Sequence, residues 1–148
     1  MKKKILIVFG TRPEAIKLAF LIKALKKHYL VKVCVTTQHK QMLQQVLRLF
    51  KIKIDFDLNS MKAGQTLTSL SSEILKKISY VYRSFKPNLT IVQGDTASAF
   101  IGAYSSFVNG TKVAHVEAGL RTYNLKQPFP EEGMRQLISR ISDFHFAP

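Results

Sequence analysis

One cysteine, Cys34, occurs among 148 residues, so no intramolecular disulfide forms and no cysteine-based metal site can be assembled. It lies in the apolar stretch Val31-Lys32-Val33-Cys34-Val35 and reads as a buried, inert thiol. No run approaches the roughly 18 apolar residues of a membrane span. The opening Met1-Lys2-Lys3-Lys4 followed by Ile5 to Phe9 has the charge of a signal peptide. Its apolar run stops at Gly10, however, short of the roughly 7–15 residues of a secretory apolar region. These absences predict a cytoplasmic protein with no membrane partner.

Acidic residues are scarce too, 9 against 23 Lys and Arg, for a formal net charge of +14. Such an excess raises nucleic-acid binding, because clustered cations neutralise phosphates and release counterions. Here the lysines are spread along the chain, many on the outer faces of predicted helices (Lys23, Lys26, Lys27, Lys76, Lys77). No RNP-type aromatic motif, zinc-finger spacing or helix-turn-helix pattern accompanies them. The reading is a lysine-rich solvated surface with no nucleic-acid partner, part of whose charge steers an anionic small substrate. G-x-G-x-x-G and the P-loop G-x-x-x-x-G-K-[ST] are both missing, so neither a dinucleotide cofactor nor ATP hydrolysis has its usual cradle. No His/Asp/Glu grouping has metal-ligand spacing, and no repeat or linker interrupts the chain.

What is present is a core-forming composition, 46% hydrophobic, sufficient for one domain over residues 1–148. Short β-branched runs alternate with stretches of helical period, the pattern of a doubly wound, three-layer α/β fold with a mostly parallel sheet. Strands are expected at Lys4 to Phe9, Val31 to Thr36, an alternating stretch Ile52, Ile54, Phe56, Leu58, then Leu89 to Gln93, Lys112 to Val116 and Asp143 to Ala147. The intervening helices are expected to turn inward Ala15, Leu18, Ala19, Ile22 and Leu25; then Met42, Leu43, Val46, Leu47 and Phe50; then Leu67, Leu70, Ile74, Ile78, Val81 and Phe85. The fourth has Phe100, Ile101, Tyr104 and Phe107 as apolar positions, and the fifth starts near Glu131. Six such strands suit the order 3-2-1-4-5-6, whose ligand crevice opens at the carboxyl ends of strands one and four.

Polar residues fall at that place: Thr11-Arg12 after strand one, Gly94-Asp95-Thr96 after strand four, Glu117 after strand five. Thr11 and Glu14 form a capping-box pattern with Pro13 in the first turn. The helix start, with Arg12 beside it and Lys17 a turn on, suits a phosphate; equally, Thr11 and Glu14 only cap and Arg12 is solvated. Asp95 either caps the following helix or serves the crevice, and Glu131 after Pro130 suits the helix dipole without further function. Glu117, at the mouth of an apolar strand, has no such role. Three carboxylates converging on one crevice would raise one another's pKa values, the setting for acid–base catalysis. His115 alternates with Glu117, so the two are expected on one sheet face, His115 as a core histidine or as a tuner of the carboxylate.

Taken in order, Gly10-Thr11-Arg12-Pro13-Glu14-Ala15-Ile16-Lys17, Thr37-Gln38-His39, Gly94-Asp95-Thr96, His115 through Thr122, and Pro128-Phe129-Pro130-Glu131-Glu132 resemble the signature set of the non-hydrolysing UDP-N-acetylglucosamine 2-epimerases. The resemblance covers essentially the whole chain. It implies the N-terminal half of a two-domain architecture shared with the GT-B class of glycosyltransferases. It also implies interconversion of UDP-GlcNAc and UDP-ManNAc without a cofactor or metal, feeding bacterial surface-polysaccharide synthesis. By that likeness Asp95, Glu117 and Glu131 correspond to the catalytic carboxylates, and Arg12, Lys17, His115 and Arg135 to substrate-binding residues. Gln38, His39, Gln41 and Gln65 correspond to a regulatory UDP-GlcNAc site. Three positions depart from the family: Gly64 stands where regulatory-site members often have Arg, and Phe20 and Tyr123 where Pro and Gly are frequent. The second domain, which carries a catalytic-site histidine and most of the uridine and diphosphate contacts in the family, is expected to be absent. UDP-GlcNAc and UDP are the implied ligands, with a homodimer or a second polypeptide completing the site. The competing readings are a GT-B transferase half-domain and a non-catalytic remnant kept for subunit association.

Overall fold

The computed structural model describes residues 2–36 and 40–148; the Gln38 and His39 of the regulatory expectation lie outside them. The elements are β1 (Lys4–Phe9), α1 (Arg12–Lys26), β2 (Leu30–Val35), α2 (Lys40–Leu49), β3 (Phe56–Asp57), α3 (Leu67–Phe85), β4 (Leu89–Gln93), α4 (Ala97–Val108), β5 (Lys112–Val116), α5 (Glu131–Ile141) and β6 (Phe144–Phe146). The strands form one parallel sheet in the order β3-β2-β1-β4-β5-β6, as the sequence pattern predicts. β1 is central and alternates between two cores. Ile5, Ile7 and Phe9 pack under α1 and α2, against Leu18, Ile22, Leu43 and Leu47. Leu6 and Val8 pack on the opposite face with Ile74, Ile78 and Val81 of α3, Ile101 of α4 and Ile138 of α5. Fully burying each such side chain contributes about 1.5–3 kcal/mol, so β1 is the most strongly held strand. Cys34 is buried in this second core, and burial pushes its thiol pKa up, consistent with an inert packing residue.

Three expectations are corrected. The alternating stretch around β3 does not present one face: Ile52 and Ile54 join the α1–α2 core, whereas Phe56 and Leu58 join the α3–α4 core. The cause is local. Val33 donates its N–H to the Asp55 carboxylate at 2.9 Å rather than to a strand carbonyl, and ladder pairing is confined to Phe56 and Asp57. Met42 and Leu67 are exposed rather than inward. In α4, Tyr104 and Phe107 are exposed, and the buried face is made of Ala97, Ser98, Ala99, Gly102, Ala103, Ser105 and Ser106. This helix lies between α3 and α5 over the middle of the sheet, so close that a Cβ on Gly102 would stand 3.0 Å from a Val8 methyl. Small side chains permit that approach and large ones are forced outward.

α1 and α2 cover only the β3-β2-β1 half of their face. On the other half Leu89, Ile91, Ala114, Val116, Phe144 and Phe146 line an apolar groove of about 450 Å³ beside Leu21 and Leu25. No helix among the described residues is long and apolar enough to cross a membrane.

His115 is a core histidine. It is fully buried, and its ring Nε2 lies 2.7 Å from the Gly94 carbonyl, which assigns the proton to Nε2. Burial holds its pKa below the ordinary 6.5. A histidine kept neutral in the fold contributes stability above its unfolded pKa, and that stability is lost as pH falls from about 6.5 through the depressed folded value. Thermal unfolding between pH 7.5 and 5 should therefore show Tm falling with pH, and His115→Gln should flatten the slope in that window. Tyr123 adopts a left-handed backbone with φ 59° and is 86% exposed. Left-handed geometry costs an L-residue about 1–2 kcal/mol, less the extra chain entropy of Gly. Tyr123→Gly should accordingly raise the urea unfolding free energy by roughly 0.5–1 kcal/mol.

Candidate active site

The carboxyl edge of the sheet opens where β1 and β4 send their helices to opposite faces. Two loops meet there, and Glu14 joins them. Its carboxylate accepts from the Gly10 and Thr11 N–H groups at 3.0 and 2.7 Å, from the Thr11 hydroxyl at 2.7 Å, and from the Thr96 hydroxyl of the β4–α4 loop at 2.8 Å. Glu14 is buried, and burial raises its pKa against the pull of those donors. Beneath it Thr36 and Ser98 share a buried hydrogen bond of 2.6 Å, and a Cβ on Gly10 would overlap both hydroxyls. Gly10 is thus required by close approach rather than by its dihedral angles.

A cavity of about 470 Å³ opens above this joint, walled by Glu14, Lys17, Gln93, Asp95, Glu117 and Arg135 among others. Thr96 caps α4, its hydroxyl accepting the Ala99 N–H at 3.1 Å, so Asp95 is not the cap. Arg135 of α5 instead grips the Asp95 carboxylate, Nε at 3.0 Å and NH2 at 2.6 Å on one oxygen. Glu117 lies just past β5 in a left-handed conformation, φ 63°. Its neighbour across the strand ends, Gly94, is also left-handed at φ 70°, and the two turns bring the Glu117 carboxylate to the Lys17 ammonium at 2.6 and 2.7 Å. The Gln93 side-chain amide donates to the same carboxylate. A strained backbone at a carboxylate lining a crevice is a common mark of function.

The residues named from the sequence therefore separate. Asp95, Glu117, Lys17 and Arg135 share the cavity wall. Glu131 lines an adjoining cavity of about 270 Å³ that also has Asp95 and Thr11 in its wall. Arg12 stands at the same edge but is exposed and outside both walls, because it sits about 200° around α1 from Glu14. His115 is not on the face of Glu117. It follows Val113 into the α3–α4–α5 side, whereas the left-handed turn delivers Glu117 to Lys17 of α1. The expected crowding of like charges is replaced by pairing, Asp95 with Arg135 and Glu117 with Lys17. Gln41 is exposed on α2, and Gln65 is engaged locally, accepting from the Lys62 N–H at 2.9 Å and donating to Ser69 at 3.3 Å.

Sequence reasoning missed two residues. Glu132, not its neighbour Glu131, is fully buried. It accepts from the Gln136 amide and from the Thr122 and Tyr123 N–H groups, and it meets Arg135 at 3.3 Å. The Gln136 bond leads in holding its pKa low, followed by the two backbone donors and Arg135. Glu132 therefore both shapes the loop before α5 and steadies the arginine that holds Asp95. Its i, i+3 spacing to Arg135 was the available signal. Gln93 was signalled only by being the polar residue at the carboxyl end of β4. Among the described residues no group of three or more His, Cys, Asp or Glu is disposed to hold a metal ion.

Comparison with known proteins places this geometry. The sequence model of the UDP-N-acetylglucosamine 2-epimerase family matches residues 23–148. The UDP-N-acetylglucosamine 2-epimerase of Neisseria meningitidis is 50% identical over 147 residues, covering 98% of this chain and 40% of its own length. That of Campylobacter jejuni is 51% identical, covering 100% of this chain and 39% of its own length. The crystal structure of the Neisseria meningitidis enzyme bound to UDP-GlcNAc superposes with a TM-score of 0.94 over 98% of this chain and 40% of that one. The chain thus spans about 40% of the length of the relatives it matches. It belongs to the UDP-N-acetylglucosamine 2-epimerase family.

Proposed function

We propose that this chain supplies the acid–base half of a non-hydrolysing UDP-GlcNAc 2-epimerase. The observation that carries the reading is the pair of carboxylates, Asp95 and Glu117, facing one cavity at the switch point, each held by a cation and one of them on a strained backbone. A protein superposing at a TM-score of 0.94 was crystallised with UDP-GlcNAc, and that likeness supports the choice of ligand.

The chemistry demands such a pair. The C2 proton of the sugar is barely acidic, so a positioned base removes it as the C1–O bond breaks. The C2–H electrons become the C1–C2 double bond of a 2-acetamidoglucal, and UDP leaves with the C1–O electrons. UDP then adds back to C1 while an acid delivers a proton to the opposite face of C2, giving UDP-ManNAc. Two groups on different sides of the sugar are required, and Asp95, Glu117 and Glu131 offer carboxylates around the adjoining cavities. The Lys17 ammonium pairs with the Glu117 carboxylate at the crevice wall. An arriving diphosphate competes for that ammonium, and its departure from Glu117 leaves a carboxylate able to accept a proton. Arg12 is exposed at the start of α1 on the same edge of the sheet, and a guanidinium suits phosphate oxygens, which supports a binding role for it.

The site is completed by polypeptide beyond residues 1–148. The match covers only 40% of the length of the Neisseria meningitidis relative, so more than half of that protein lies outside it, and the apolar groove over β4, β5 and β6 supports the same reading.

In the completed enzyme, Glu117→Gln and Asp95→Asn keep the side-chain shape but not the exchangeable proton. Each should lower kcat by about 10²–10⁴-fold with little change in KM, measured by coupled assay of UDP-ManNAc formation. Lys17→Met should raise KM as well as lower kcat. A Glu117→Gln enzyme with near-normal turnover would remove Glu117 from the chemistry.

A further inference from the structure

The sequence order of this chain conceals how its charge is divided between the two edges of the sheet. Of the 9 acidic residues, Glu14, Asp95, Glu117, Glu131 and Glu132 stand at the carboxyl edge, around the crevice. The amino edge, on the far side of the molecule, gathers bases. Lys26, Lys27, Lys51, Lys86 and Arg140 lie in or just beyond the last turns of helices that end there. Lys2, Lys3, Lys4, Lys53 and Lys112 lie at strand starts or in the chain leading to them. The helix dipole accounts for the first group, since cations near helix C-termini are favoured. It gives no reason for the second.

Counter-charge at that edge is already committed. Asp55 accepts the Val33 N–H at 2.9 Å and Asp143 accepts the Val113 N–H at 2.8 Å. No ion pair among the described residues engages Lys3, Lys53 or Lys112. Aromatic rings take the place of carboxylates. The ammonium groups of Lys4 and Lys32 lie 5.7 and 5.0 Å from the centre of the Phe85 ring, and that of Lys112 lies 5.7 Å from the Phe144 ring. Lys3, Lys4 and Lys112 rim a cavity of about 520 Å³ that also has Tyr29 and Asn88 in its wall. Tyr29 there is exposed by 38%.

We propose that the amino edge docks on an anionic phospholipid surface, with a lipid phosphate seated among Lys3, Lys4 and Lys112. Charge complementarity selects an anion, and the other features select a lipid over a nucleic acid. Most of the 23 basic residues are lysine, which acts as a diffuse point charge suited to a headgroup layer. Tyr29, partly exposed at the seat, is an amphipathic ring of the kind found at membrane–water boundaries. No arginine lines it, so the bidentate grip used on nucleic-acid phosphates and bases is missing from the cavity. Docked this way, the crevice faces solution. The proposal revises the expectation of a merely solvated lysine surface with no membrane partner.

The test is co-sedimentation of the chain with vesicles of phosphatidylcholine containing about 30 mol% phosphatidylglycerol, an anionic fraction that attracts basic segments. Binding is expected to these vesicles and not to phosphatidylcholine alone, and to be released at about 0.5 M salt, where the Debye length is roughly halved. The pair Lys3→Glu and Lys112→Glu should weaken binding by at least about tenfold, because each lysine near an anionic surface is worth about fivefold. Lys62→Glu with Lys126→Glu, the same charge change in loops at the carboxyl edge, should leave most of it. Equal binding to neutral vesicles, or equal loss in the two double variants, would overturn the proposal. So would tighter binding to a duplex oligonucleotide than to the anionic vesicles at the same salt, which would assign the edge to nucleic acid. Circular dichroism of each variant separates loss of docking from loss of fold.

Discussion

The crevice depends on one buried carboxylate. Glu14 is reached by the backbone of the loop after β1, by the cap of α1 and by the hydroxyl of Thr96, which itself caps α4, 82 residues away in sequence. Helices leave for opposite faces of the sheet at this point, and without a common acceptor their first turns would be independent. Desolvating a carboxylate costs several kcal/mol unless donors replace the lost water, and here every donor comes from a group the crevice needs in place. Gly10 and the Thr36–Ser98 bond complete the joint from below, leaving no room for a side chain on the loop.

From that joint outward, Asp95 and Glu117 are each held by a partner rather than by their own strands. Asp95 is freed from capping by Thr96 and fixed by Arg135, which Glu132 steadies. Glu117 is turned by its left-handed backbone towards Lys17 and Gln93. Each pairing fixes the direction in which its carboxylate faces the crevice. The strain of a left-handed glutamate, about 1–2 kcal/mol, is sustained because several contacts over-determine its position.

Much of this was legible in the residues. β1, β4 and β5 follow directly from short β-branched runs, and their order from the alternation with helices. The polar residues at the ends of those strands marked the crevice, and the capping box of Thr11 and Glu14 is present as read. What was hidden depends on chain closure. Lys17 and Glu117 are 100 residues apart and Asp95 and Arg135 are 40 apart, so no periodicity could pair them. The inverted face of α4 was hidden because its three-helix neighbourhood, not its hydrophobic pattern, decides which side chains fit. The stretch before β3 was misread because an aspartate side chain takes over a ladder acceptor, an event with no signature in alternation. The left-handed turn at Glu117 likewise broke an apparent two-residue period with His115.

In the proposed function the chain provides carboxylates and a joint that orients them, and holding the leaving UDP and excluding water is assigned to the part of the relatives' length that lies outside the match. Orientation of this kind is worth roughly 7–11 kcal/mol when complete. Proton exchange at C2 tests that division most directly. UDP-GlcNAc is incubated in D₂O with the purified chain alone and with the chain joined to the remaining length of a relative, and deuterium at C2 and UDP-ManNAc are followed by NMR. The account predicts no protein-dependent deuterium with residues 1–148 alone, and deuterium at C2 together with UDP-ManNAc once the remainder is present. Exchange by the chain alone that vanishes in Glu117→Gln, or no exchange by the completed protein, would contradict it.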